Sequence, residues 1–97
     1  MERRSYSVNI TVNDKKIRTI IVDPHYEKKH STSISDDLIL ELVRLLDGGD
    51  FSPEAVEESF EYYMTENLKI RGKKYRLVWL IENEELYIGV INAYRRK

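Results

Sequence analysis

A chain of 97 residues holds one domain, because a second hydrophobic core would not fit. Hydrophobic residues at 41% and charged residues at 34% exclude a disordered chain and describe a globular one with a modest core. The net charge of −1 is silent on nucleic acid, while the lack of cysteine excludes disulfides, thiolate metal sites and cysteine nucleophiles.

In chain order, Tyr6, Val8, Ile10 and Val12 alternate with Ser7, Asn9 and Thr11, the pattern of a half-buried strand. Asn13-Asp14 supplies a turn, since both residues tolerate left-handed backbone. Residues 16–23 return as a second strand carrying Ile17, Ile20, Ile21 and Val22, and Pro24 ends it. Residues 24–33 form a polar connector with both histidines, His25 and His30. Ser35 caps a helix with Asp36 and Asp37 in its first turn. Leu38, Ile39, Leu42, Val43, Leu45 and Leu46 form its apolar stripe, and Gly48-Gly49 stops it. Ser52-Pro53-Glu54 reads as a second helix start, running to about Ser59. Val56, Phe60 and Tyr63 would share a helical face if that helix continued, but residues 60–65 also suit a strand, so 60–66 reads as either, with a strand after Ser59 the favoured form.

From Lys74 the alternation is clear again. Tyr75, Leu77, Trp79 and Ile81 face one side, with Val78 and Leu80 on the other; Asn83-Glu84 turns the chain; Leu86, Ile88 and Val90 then alternate with Tyr87, Gly89 and Ile91. Apolar residues on both faces place these strands centrally, and Gly89 marks a bulge or a close backbone approach. The expected fold class is α+β, in the order β-β-α-α-β-β-β. An antiparallel sheet, an N-terminal β-hairpin plus a C-terminal meander, carries one or two helices on one face.

Charge is unevenly spread. Residues 36–66 hold ten acids and one base, Arg44, whereas the flanks together carry a net charge of +8. Such asymmetry suits a polyanion-binding face opposite an acidic one. No apolar run approaches the ~20 residues of a membrane span. The charges of residues 1–6 lead into no apolar run, so no signal peptide is expected. A small domain without staples is expected in the cytoplasm.

Three groups of residues could carry chemistry. His25 and His30 suit acid–base work, because histidine is the residue type whose ordinary pKa lies near neutral, with Lys28 and Lys29 beside them to hold a phosphate; their spacing makes no metal site. Lys69, Arg71, Lys73, Lys74 and Arg76 put five bases in eight residues, interleaved and followed by Tyr75, Trp79, Tyr87 and Tyr94, as in surfaces that hold a nucleic-acid backbone and stack bases. Tyr94, Arg95 and Arg96 close the last strand with a phenol and two guanidiniums at a sheet rim. No cofactor is expected.

The stretch Gly72-Lys73-Lys74-Tyr75-Arg76-Leu77-Val78-Trp79-Leu80-Ile81, a short turn, Leu86-Tyr87-Ile88-Gly89-Val90-Ile91 and the Tyr-Arg-Arg ending resembles the C-terminal half of RelE/ParE-type toxins. The histidine connector before a helix is similar to the entry of small domains in the wider barnase, colicin E and RelE group of nucleases. The resemblance covers about residues 70–97 and implies a metal-independent, toxin-type endoribonuclease, or an inactive relative of one, acting on RNA. By it, Arg76 polarises the scissile phosphate, Tyr94 or Arg95 completes the site and a histidine does acid–base work, with a cognate antitoxin as partner. The rival reading is a non-catalytic protein-interaction module that uses the acidic segment 36–66 or an exposed strand edge. A homodimer through the N-terminal hairpin is a third.

Overall fold

The β1 strand (Arg4–Val12) and β2 (Lys15–Val22) form a hairpin closed by Asn13 and Asp14, both with positive φ, as a two-residue turn requires. A register shift between Ser7 and Ile10 keeps Tyr6 opposite Ile20 and Ile10 opposite Ile17. The buried residues of β2 therefore lie three apart at that point, which blurs its alternation. The computed structural model describes residues 3–23 and 34–96.

Helix α1 (Asp36–Arg44) starts where Ser35 Oγ accepts the Leu38 N–H at 3.2 Å. Leu38, Ile39, Leu42 and Val43, with Leu46 beyond the helix, are buried against one face of the sheet. Past Gly48 (φ +80) the chain folds back on β1, where Gly48 N donates to Thr11 O and Asp47 accepts the Thr11 N–H. The helix thus docks through both its stripe and its C-terminal turn. Ser35→Ala is expected to cost about 1 kcal/mol, read as a lower urea midpoint at an unchanged slope.

Strands β3 (Ala55–Glu57), β4 (Phe60–Ile70), β5 (Lys73–Glu82) and β6 (Tyr87–Arg96) complete a six-stranded sheet in the order β1-β2-β6-β5-β4-β3. All neighbours are antiparallel except β2 and β6, which pair in parallel at Ile20–Ile88, Ile21–Gly89 and Val22–Val90.

The expected α+β layout, an antiparallel sheet with one or two helices on one face in the order β-β-α-α-β-β-β, is therefore corrected. The sheet is mixed, and α1 is the one helix among the described residues. Residues 52–59 hold no second helix. After Pro53 too few residues remain before β4 to sustain one, and Ala55–Glu57 instead pair with Phe60–Tyr62 across a turn at Glu58 (φ +56). Val56, assigned to a helical face by its spacing from Phe60 and Tyr63, is exposed. The parallel pair arises because β6 enters beside β2 after the chain has crossed the sheet through α1 and β3–β5. No described helix is long and apolar enough to cross a membrane.

The core lies between α1 and the inner sheet face. Trp79 is its largest fully buried side chain. Its ring stacks on Tyr63 at 4.2 Å, meets Phe51 edge-on at 5.4 Å and donates Nε1–H to Thr65 Oγ1 at 2.9 Å.

Candidate functional site

Alternation along β5 sends Lys74, Arg76, Val78 and Leu80 to the outer face, away from α1, while Tyr75, Leu77, Trp79 and Ile81 line the core. Cross-strand partners share a face, so the register places side chains in rows. Lys69, Lys74 and Arg96 form one outer row across β4, β5 and β6. Arg76 and Tyr94 are direct partners in the next row. Between Thr65 and Leu68 the β4 register shifts, with Asn67 at φ +61, and Glu66 turns toward both rows. Its Oε2 accepts from Arg76 Nε at 2.6 Å and its Oε1 lies 3.8 Å from Arg96 Nε. Asn92 Nδ2 donates to the Tyr94 hydroxyl at 2.9 Å, which fixes the phenol beside Arg76.

The remaining expected site residues are divided. Arg95 is opposite Tyr75, so it leaves the sheet on the face away from Tyr94, Arg76 and Arg96. Arg71, in the β4–β5 turn, makes two hydrogen bonds to Glu41 of α1 at 2.9 and 3.1 Å, and that ion pair holds the Glu41 carboxyl below its usual range. Arg71 thereby ties the turn to the helix. Lys73 pairs with Ile70 and borders, with Gly72, Lys74, Arg95 and Arg96, a depression of about 250 Å³ at the sheet end. His25, Lys28, Lys29 and His30 lie outside the described residues. Glu66 was not legible as a site residue, because it reads as one more acid of segment 36–66. The signal that could have marked it is the Glu66-Asn67 pair breaking an otherwise regular strand, with asparagine the residue that accepts positive φ.

Like charges directly opposite one another destabilise a sheet. The row of three exposed cations across adjacent strands is therefore disfavoured within the sheet itself, and Glu66 offsets it at Arg96. Among the described residues no group of His, Asp or Glu side chains is arranged to hold a metal ion. What the arrangement offers is cationic donors, a phenol and one carboxylate on an exposed rim.

The acids of segment 36–66 are partly occupied within the chain. Asp36 takes Arg4 and the Tyr6 hydroxyl, and Glu61 takes Lys15 at 3.1 Å and the Tyr63 hydroxyl at 3.0 Å. Burial pushes the Glu61 carboxyl up, but its bonds from Lys15, Tyr63 and Asn83 outweigh this and the net shift is downward. Burial and the same carboxylate raise the Tyr63 phenol to about 12. Because folding lowers the Glu61 pKa, its contribution is full above the unfolded value and lost as pH falls through the folded one. Stability measured by urea titration is expected to decline below about pH 4, and Glu61→Gln is expected to decline less steeply there.

Comparison with family models, with curated proteins and with solved structures finds no match to this chain.

Proposed function

We propose that the chain acts on RNA phosphodiesters at the basic end of its outer sheet face, as a metal-independent ribonuclease of the RelE-like kind. The observation that carries the reading is the cation row Lys69–Lys74–Arg96 set against Glu66, Arg76 and Tyr94. Lys69 and Lys74 hold neighbouring phosphates as point charges, which positions the strand without reading its sequence. Arg76 and Arg96 exchange Glu66 for the non-bridging oxygens of the scissile phosphate. Glu66, released, takes the proton of the ribose 2′-hydroxyl, and the 2′ oxygen attacks phosphorus. The phosphorane charge is met by the two guanidiniums and by the Tyr94 hydroxyl. The 5′ oxygen leaves with a proton supplied by a histidine, the role the resemblance gives to His25 or His30. The products are a 2′,3′-cyclic phosphate and a 5′-hydroxyl.

The test is cleavage of an end-labelled single-stranded RNA by purified protein in EDTA, with product ends identified. Cyclic-phosphate products that vanish in Glu66→Gln support the proposal. Intact RNA at high protein concentration, or cleavage unchanged in Glu66→Gln, overturns it.

A further inference from the structure

The outer sheet face is graded along the strands. At one end of β3–β6 lie the turns with Glu57, Glu58, Glu84 and Glu85, all exposed, with the exposed Lys16 and Arg18 of β2 to one side of them. Next come Phe60 and Tyr87, then Tyr62, Leu80 and Ile21 around Gly89, which line a depression of about 210 Å³ with Arg3 and Asp23 at its β1–β2 side. A Cβ at Gly89 would meet Leu80 Cδ1 at 3.0 Å, so glycine lets Leu80 lie flat across β6. Met64 and Val78 follow, with Met64 44% exposed, and the cation row closes the other end. Helix α1 covers the opposite face, and among the described residues no helix packs on this one.

We infer that this face docks a second copy of the same chain, face to face and antiparallel. A two-fold axis lying in the interface, perpendicular to the strands, reverses strand direction. It lays the acid end of each chain over the basic end of the other and puts the two apolar middles in contact. The match occurs twice and closes at two, as an isologous contact must. An axis along the strands would set acid on acid and base on base, and like-charge contact rejects it. Area is sufficient. The two longest extents of the molecule, 34 and 29 Å, agree with six strands at about 4.8 Å spacing and ten residues at about 3.3 Å rise. A face of that footprint can supply the ~800 Å² per partner of a standard interface. The composition fits too, with aromatic and apolar residues central and charges at the rim.

The inference stands apart from the RNA proposal, although both use Lys69, Lys74 and Arg96. A polyanion and a second copy therefore compete, and the dimer is the state in which the cation row is masked.

The experiment is sedimentation velocity of three proteins with confirmed folded circular dichroism. They are the wild type, an acid-end variant (Glu57→Lys, Glu58→Lys, Glu84→Lys) and a base-end variant (Lys69→Glu, Lys74→Glu). The substituted residues are exposed, so folding is kept. The wild type is expected to dimerise with a Kd that rises tenfold or more between 50 and 500 mM salt, taken as about the range over which screening shortens from 14 to 4 Å. Each variant alone is expected to be monomeric, and an equimolar mixture of the two is expected to form a heterodimer. A monomeric wild type at the highest concentration, a dimer retained in both variants, or mass growing beyond two overturns the inference. The three Glu→Lys changes add six positive charges, which by themselves strengthen polyanion binding, so the RNA proposal is read on the wild type and Glu66→Gln and not on this variant.

Discussion

Trp79→Ala is expected to remove about 3–5 kcal/mol of stability, a large part of the roughly 5–15 kcal/mol that holds a folded domain. The indole is fully buried and joins three elements of the core. It stacks on Tyr63 of β4, receives the Phe51 edge from the segment after α1, and donates to Thr65. Truncation removes its transfer free energy, opens a cavity under α1 and strands the Thr65 hydroxyl in a partly buried site. Trp79→Phe keeps a ring against Tyr63 and loses only the hydrogen bond and part of the volume, so it should cost less than half as much. Urea denaturation followed by far-UV circular dichroism reads both variants. A midpoint for Trp79→Ala close to the wild type would show that the ring is not the centre of the core.

Arg76→Ala is expected to lower the rate of RNA cleavage on the order of 10²–10³-fold, the effect of removing one charge-stabilising donor from a transition state. The same change also leaves Glu66 without its closer partner. Arg76→Lys separates the two effects, because lysine keeps the charge near Glu66 but cannot offer the planar pair of donors. If the guanidinium acts on the transition state, Arg76→Lys remains slow at saturating RNA. If it only orders Glu66, the lysine variant recovers most of the rate. Lys74→Glu acts differently. It should weaken RNA binding uniformly across sequences and reduce the salt slope of the affinity by about one to two charges, with the rate at saturation kept.

The hairpin β1–β2, helix α1 with its Ser35 cap and the central pair β5–β6 were legible because each carries a complete local pattern. Strict alternation, a capping residue before an apolar stripe, and apolar residues on both faces are all local signals. Residues 52–59 misled because proline after serine is a helix-start signal, whereas a three-residue strand is fixed only by its partner β4. The parallel pairing of β2 with β6 joins residues almost seventy positions apart, and no local pattern encodes it.

The site divides the same way. Arg76 and Tyr94, distant in sequence, are placed opposite each other by the β5–β6 register. Consecutive residues of a strand point to opposite faces, so Tyr94 faces Arg76 while Arg95 does not and reaches only the depression at the sheet end, beside Lys74 and Arg96. Glu66 enters through a register shift that only the paired strands reveal.

The most direct test is an amide-resolved NMR titration of the protein with a short single-stranded oligoribonucleotide at low salt. Shifts concentrated at Lys69, Lys74, Arg76, Tyr94 and Arg96, with α1 silent, are the result expected. Shifts confined to α1 or to the β3–β4 turn, or none at all, would contradict the assignment of the basic sheet end as the RNA site.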